Sequence, residues 1–169
     1  EQIWLLLTDT YANMRAYKGA YQQLCTVFDE QVESFNKVIV LDLKRTGGNL
    51  LSDDNRELLR RVLTSYAKRN QEVGYCQGFN FVAYFLFQMN LNEEEIFWVL
   101  CYLFDQIMPP NYYIQMIPVI ADLEIFKMMF RYYQPKSFEE IEKKQIDLNF
   151  AFIPCFVTVF TNLNNMKVS

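Results

Sequence analysis

Residues 52–70, SDDNRELLRRVLTSYAKRN, decide the fold class of this chain. Apolar side chains recur there every three or four residues, which is the period of an α-helix with one buried face. They are Leu58, Leu59, Val62, Leu63 and Tyr66. Ser52, Asp53 or Asp54 can cap the first turn, because short oxygen-bearing side chains accept bonds from its free backbone N–H groups. The stretch therefore predicts a long amphipathic helix that ends near Asn70.

The same period extends through nearly all of the chain, with no convincing run of alternating apolar and polar residues. Further helices are predicted over residues 3–8, 11–28, 29–46, 79–89, 96–107, 118–133, 137–147 and 150–162. In the second of them, one face is predicted to point to the core; it carries Met14, Tyr17, Tyr21, Leu24 and Val27 or Phe28. Proline and glycine are few, which also favours long helices over a turn-rich sheet protein. The sequence predicts an all-α fold.

No linker or shift in composition divides the sequence. We therefore expect a single domain over residues 1–169. Met108-Pro109-Pro110 interrupts the helical pattern, since proline lacks a backbone donor and restricts the residue before it. Two lobes are predicted around this break, over 1–108 and 109–169.

Composition excludes several classes of function. The net charge of −4 provides no overall positive field for nucleic acid or an anionic membrane. The longest apolar stretches are too short to span a bilayer, so no direct membrane insertion is expected. Four widely spaced cysteines without a CxxC pair, and no signal peptide at the start, predict reduced thiols and a cytoplasmic protein.

The chain has no histidine, which removes the usual Ser-His and Cys-His nucleophile systems and most zinc sites. It also has no phosphate-binding GxxxxGK[ST] loop. We expect no cofactor of its own, and in any phosphate chemistry the partner would hold the nucleotide.

Four of the five glycines lie in two short segments, Gly47-Gly48 and Gly74/Gly78. Glycine is used where a backbone turns sharply or approaches another surface, as at functional loops. Arg45 stands beside the first pair and Gln77 inside the second. A guanidinium can stabilise the negative charge that develops during GTP hydrolysis, and an amide can orient the attacking water without a titrating base.

These segments resemble the two signature motifs of the TBC-domain Rab GTPase-activating proteins, IxxDxxR and YxQ. Ile39, Asp42 and Arg45 match the first motif, and Tyr75 with Gln77 matches the second, within VGYCQGFNFVA. The stretches RRVLTSYAKRN, EEEIFWVL and PNYYIQMIPVIADLEIF also follow the family's order. The resemblance covers most of the chain and implies a multi-helix TBC domain.

The resemblance implies a role for each matching residue. Arg45 would be an arginine finger and Gln77 a glutamine finger, both supplied to a Rab-family GTPase in its GTP form. Asp42 would hold the guanidinium, Tyr75 would support the loop, and Ile39 would anchor the helix. Gly74 and Gly78 would shape the loop. Magnesium and GTP would belong to the GTPase, which would recruit the chain to endomembranes.

Other interpretations stay open at this point. An arginine at a helix end commonly compensates the helix dipole, and an Asp-Arg pair three residues apart is commonly a weak surface pair. The basic residues between Lys44 and Arg69 are expected to form a solvated helix face, with steering of an acidic GTPase surface or its phosphates as the alternative. Cys76 is expected to be a small buried side chain, because no base is available to activate it.

The sequence also departs from the family. Gly47-Gly48-Asn49 replaces an aromatic residue and proline, Pro154-Cys155-Phe156 replaces a tryptophan-containing stretch, and the helices expected after about Asn165 are missing. A domain lacking its C-terminal helices is therefore expected. A catalytically weak or inactive Rab-binding scaffold is the alternative function.

Overall fold

The computed structural model describes residues 2–162, and this part of the chain consists of helices without a strand. The ten α-helices are α1 (Gln2–Leu7), α2 (Thr10–Ala16), α3 (Ala20–Thr26), α4 (Glu30–Lys44), α5 (Asp53–Arg69), α6 (Phe79–Gln88), α7 (Glu93–Tyr102), α8 (Ile117–Tyr133), α9 (Pro135–Lys143) and α10 (Leu148–Val157). A 3₁₀ turn, Gly48–Leu50, lies between α4 and α5. The predicted all-α class is confirmed. None of the described helices is both long enough and apolar enough to span a bilayer.

Helix α5 begins where its sequence predicts. The Ser52 side chain accepts a hydrogen bond from the backbone N–H of Asn55 at 3.3 Å, and Asp53 and Asp54 add negative charge to the first turn. Both features stabilise a helix N-terminus. Leu59 and Val62 are fully buried, so the predicted apolar stripe does face the core.

The predicted second helix was wrong as one continuous element. The structure has α2 and α3 instead, and Gly19 between them adopts a left-handed backbone conformation with φ of 83°. Tyr21 is buried, but the Tyr17 side chain is 58% exposed and Phe28 is 80% exposed. Tyr17 and Phe28 therefore do not reach the core, because Tyr17 is the C-cap of α2 and Phe28 follows the end of α3, so neither lies on one continuous helix.

Three other boundaries also moved. Helix α7 ends at Tyr102 and continues as a π-helical turn, Leu103–Ile107, rather than as regular α-helix. Helix α9 starts at Pro135, because a proline fits the first helical position, where no N–H bond is needed. Helix α10 ends at Val157 rather than near residue 162. The helices predicted to be missing after about Asn165 concern a position outside the described residues.

The chain divides into two compact units, Glu1–Pro110 and Asn111–Ser169. The single domain over 1–169 and the lobe boundary at 108 remain predictions. In the first unit α5 is the central element, and α3, α4, α6 and α7 pack against it. The second unit is built around α8, which packs against α9 and α10.

An aromatic cluster fills the core of the first unit. The rings of Phe79 and Phe104 stack with their centroids 3.9 Å apart, and Tyr66 meets both rings edge-on. The Tyr66 hydroxyl donates to Asp105 at 3.0 Å, which supplies the partner that a buried tyrosine needs. This cluster fixes α6 against α5.

Glu93 ties three helices of the first unit together. Its carboxylate accepts hydrogen bonds from Tyr21 at 2.5 Å and from Arg61 at 2.8 and 2.6 Å. Burial alone would raise the pKa of Glu93, but the bonds from Arg61 and Tyr21 outweigh burial and bring it below its ordinary value of 4.5. The carboxylate is therefore charged wherever the protein is near neutral pH.

Candidate functional site

The site begins at the C-terminal end of α4. Ile39 and Leu43 are buried on the core side of this helix, so Ile39 lies where the sequence analysis placed it. The helix ends at Lys44, and Arg45 is its C-cap. Gly47 follows with φ of 67°, and a Cβ atom there would lie 2.8 Å from the Tyr84 ring. This position therefore requires glycine both for its backbone angle and for space.

Asp42 is the buried centre of the site. Its side chain is only 4% exposed, whereas that of Arg45 is 58% exposed. Oδ1 accepts a hydrogen bond from Arg45 Nη2 at 2.5 Å, and Oδ2 accepts one from the Tyr75 hydroxyl at 2.8 Å. One carboxylate therefore joins the end of α4 to the loop before α6, and it leaves part of the guanidinium facing solvent.

Tyr75 acts as a hydrogen-bond donor in this arrangement. Burial and the bond to Asp42 raise the pKa of Tyr75 far above its ordinary value of 10.0. The hydroxyl is therefore protonated at neutral pH. Its ring also meets Phe79 edge-on, which connects the loop to the aromatic core.

Asn80 completes the network, and the sequence analysis did not single it out. Its Nδ2 donates to Thr46 Oγ1 at 2.8 Å, and its Oδ1 accepts from the backbone N–H of Gly78 at 3.1 Å. The Thr46 hydroxyl in turn donates to the carbonyl of Asp42 at 2.7 Å. The available signal was a single amide in the apolar stretch FNFVAYFLF, since a buried polar residue needs partners.

The loop before α6 carries Gln77 at its exposed side. Within residues 2–162 the Gln77 side chain makes no hydrogen bond, so its amide is available to a partner. Gly74 and Gly78 have φ of 62° and 119°, which shapes the loop as expected for glycines. A Cβ atom at Gly74 would also lie 2.4 Å from the ring of Phe35.

Cys76 is half-buried between these loop residues. Burial, together with the nearby Asp42 carboxylate, raises the pKa of its thiol to about 11. A protonated thiol is a poor nucleophile. The geometry agrees with the expectation that Cys76 fills space.

The arginines on α5 are not a free, solvated face. Arg60 donates to Glu57 and to Asn36, and Arg61 pairs with Glu93. Arg56 donates to the backbone carbonyls of Leu43, near the end of α4, and of Gly48 in the 3₁₀ turn. The expectation of a solvated face was therefore wrong for these three, which hold neighbouring elements together. The reason lies in the tertiary structure, because α4 and α7 both pack against α5 and supply partners for its arginines.

The arrangement presents two different polar groups on a buried frame. A cationic fork at Arg45 and a neutral amide at Gln77 are exposed, while Asp42, Tyr75 and Asn80 beneath them are buried. Such groups can stabilise negative charge and orient a water molecule, but they cannot transfer protons near neutral pH. Among the described residues no group of three acidic or cysteine side chains is placed to hold a metal ion.

Comparison with known proteins gives consistent matches. The family model described as the Rab-GTPase-TBC domain matches residues 1–169. TBC1 domain family member 30 of Mus musculus is 30% identical over 174 residues, covering 95% of this chain and 23% of that protein. Growth hormone-regulated TBC protein 1 of Homo sapiens is 33% identical over 136 residues, covering 77% of this chain and 40% of that protein.

A solved structure matches the fold. The Chlamydomonas flagellar RabGAP TBC domain superimposes with a TM-score of 0.80 at 21% identity, over 95% of this chain and 54% of that one. The chain thus spans about half of the matched structure and less than half of either curated relative named above.

Proposed function

The chain belongs to the Rab-GTPase-TBC domain family, and from this we propose that it accelerates GTP hydrolysis by a Rab-family GTPase in its GTP form. Arg45 and Gln77 enter the active site of the GTPase from outside. The observation that carries the proposal is that both exposed groups rest on one buried network, in which Asp42 bonds Arg45 and Tyr75 at 2.5 and 2.8 Å.

Arg45 supplies positive charge to the transition state. During phosphoryl transfer negative charge shifts onto the bridging and leaving oxygens, and a guanidinium in a water-excluded site stabilises it. Arg45 is more than half exposed, so its outer nitrogens can reach a bound partner while Asp42 holds Nη2. Because Asp42 is buried, its carboxylate fixes the direction of the guanidinium before the partner arrives, which reduces the ordering required later.

Gln77 orients the attacking water. A carboxamide can accept from the water through its oxygen and donate through its nitrogen. Gln77 lies two residues after Tyr75, which is anchored on Asp42, and directly before Gly78, whose N–H is bonded to Asn80. The loop backbone around Gln77 is therefore held on both sides while its side chain stays available.

The nucleotide and its magnesium belong to the GTPase in this proposal, and the chain contributes no cofactor. Recruitment to endomembranes, and hence a role in vesicle trafficking, would follow from binding the GTPase and not from insertion of this chain.

The test is single-turnover GTP hydrolysis by a panel of purified Rab GTPases. Arg45→Ala and Arg45→Lys should each lose roughly three to five orders of magnitude of stimulated rate, because lysine cannot reproduce the planar fork. Gln77→Ala should also lose stimulation. The unfolding free energy of this variant should stay within about 0.5 kcal/mol of wild type, because only an exposed side chain is removed. An active Arg45→Lys variant would refute the finger role.

A modified GTPase separates the two roles. A Rab whose own switch glutamine is changed to leucine should still be stimulated, since Gln77 provides the amide. If stimulation is lost only with this Rab, the GTPase's own glutamine orients the water and Gln77 does not. Binding of GTP-loaded Rabs without acceleration would favour the alternative function, a binding scaffold.

A further inference from the structure

The segment that carries Arg45 needs a restraint besides Asp42. It leaves α4 at Lys44 and turns through Gly47 and Gly48, which both have positive φ. Two consecutive glycines offer the backbone many conformations. Leu50, at the end of the 3₁₀ turn, is 83% exposed and anchors nothing in the described part of the chain. Thr46 and Leu51 are buried on either side of the glycine pair, and side chains from α5 and α6 that bond residues 43–48 limit the remaining conformations.

The Arg56 guanidinium contacts both ends of this segment. Its Nη2 donates to the carbonyl of Gly48 at 2.7 Å, and its Nε lies 3.4 Å from the carbonyl of Leu43. Leu43 precedes Arg45 by two residues and Gly48 follows it by three. The third nitrogen, Nη1, donates to Asp53 at 3.0 Å on the same helix as Arg56. One planar group thus joins the start of α5 to both sides of Arg45.

We propose that Arg56 is a positioning residue for Arg45, which rests on the proposed function. Arg56 restrains residues 43–48 from the α5 side, while Asn80 restrains Thr46 from the α6 side. The Arg56 side chain is 24% exposed, so these bonds are partly shielded from competing water. Its charge also lies at the C-terminal carbonyls of α4, where a cation is favoured by the helix dipole.

Arginine is required for this role because two carbonyls must be reached in a fixed geometry. A guanidinium presents five N–H donors in one plane, whereas an ammonium is a point donor on a flexible stem. Arg56→Lys should keep the charge but hold only one carbonyl at a time. The amide exchange rates and the kcat of Arg56→Lys should therefore lie between those of wild type and Arg56→Ala in the two assays described next.

The first assay measures amide hydrogen exchange by NMR in the isolated chain, so it needs no GTPase. The backbone amides of Thr46 and Leu50 are bonded within the segment, to Leu43 and Gly47. In Arg56→Ala their exchange should rise at least about tenfold, because the segment opens more often. Unchanged exchange at these amides would overturn the proposal.

Arg60→Ala is the matched control for both assays. Arg60 lies one turn further along α5, its side chain is 30% exposed, and it bonds Glu57 and Asn36 rather than the segment. Its loss should leave exchange at Thr46 and Leu50 at the wild-type rate. An equal rise in Arg60→Ala would show general loosening of α5 and would also overturn the proposal.

The second assay is stimulated GTP hydrolysis. Arg56→Ala should lower kcat by roughly ten- to a hundredfold with little change in KM, the size expected for a misplaced catalytic group. The double variant Arg45→Ala/Arg56→Ala should be no slower than Arg45→Ala alone, because Arg56 acts only through Arg45. If adding Arg56→Ala to Arg45→Ala lowers kcat by the same factor as Arg56→Ala does alone, Arg56 does not act through Arg45. If the wild-type chain stimulates no Rab, the proposed function fails, whereas the exchange assay still decides whether Arg56 holds the segment.

Discussion

Replacing Tyr75 with phenylalanine removes one hydroxyl from the buried network. The change removes only the hydroxyl, which donates to Asp42 at 2.8 Å and lies 3.2 Å from Asn80 Oδ1, and leaves the ring in place against Phe79. The Arg45 bond to the other carboxylate oxygen is untouched. The Asp42 side chain is 4% exposed, so water cannot easily replace the lost donor.

The loss of stability expected for Tyr75→Phe follows from the burial of Asp42. A hydrogen bond to a charged, buried acceptor contributes about 1.5–3 kcal/mol, and removing one partner leaves the other unsatisfied. We therefore expect Tyr75→Phe to lower the unfolding free energy of the first unit by about 2 kcal/mol. With a urea m-value of about 2 kcal/mol per M, the unfolding midpoint should fall by about 1 M.

Tryptophan fluorescence during urea titration measures this effect. Both tryptophans of the chain, Trp4 and Trp98, lie in the first unit, so the signal follows the unit that contains the network. The m-value should not change, since the same surface is exposed on unfolding. A change in m-value would mean that the folded or unfolded state had been altered in some other way.

Tyr84→Phe is the matched control. Tyr84 is also buried, in α6, but within the described chain its hydroxyl makes no hydrogen bond. Its midpoint should stay within about 0.3 M of wild type, which is the effect of a neutral change at this m-value. If Tyr75→Phe shifts the midpoint no more than Tyr84→Phe does, the bond to Asp42 contributes little and our account of the network is refuted.

Three further predictions test other parts of the first unit. Gly74→Ala should lower the unfolding free energy by about 1–3 kcal/mol, because a Cβ atom there meets the Phe35 ring at 2.4 Å and φ is positive; urea titration measures it. The pKa of Glu93 lies below 4.5, so its contribution to stability is complete above that pH and is lost as pH falls through the folded pKa. Urea midpoints measured as the pH is lowered from neutral through this pKa should therefore fall less steeply in Glu93→Gln than in wild type. Because the pKa of Cys76 is about 11, its thiol should be alkylated by iodoacetamide about a hundredfold more slowly at pH 8 than in the urea-unfolded chain, as judged by peptide mass spectrometry. Equal rates would contradict the burial of this thiol.

The helices that the sequence predicts well are those with both a cap and a periodic face. Helix α5 has Ser52 at its start and a continuous apolar stripe, and the structure reproduces both. Helices α2 and α3 were predicted as one helix, because a single Gly19 in a periodic stretch does not by itself distinguish a break from a tolerated glycine. That choice depended on packing against α5 and α7, which lies outside the local sequence.

In the candidate site, too, contacts within one stretch of sequence could be predicted and contacts between distant stretches could not. Asp42 and Arg45 are three residues apart on one helix, so their contact could be predicted from spacing. The bonds from Tyr75 to Asp42 and from Asn80 to Thr46 join residues 33 and 34 positions apart. Such pairs are brought together only when α6 packs near the end of α4, and local patterns carry no information about that.

The shared carboxylate of Asp42 has a consequence for how this protein can vary. Because Arg45 and Tyr75 bond different oxygens of the same group, a substitution on either loop changes the electrostatic surroundings of the other. The effects of substitutions at these two positions should therefore be epistatic. Whether a substitution at position 45 is tolerated would then depend on the residue already present at position 75, and the reverse. The two loops would therefore be expected to evolve together.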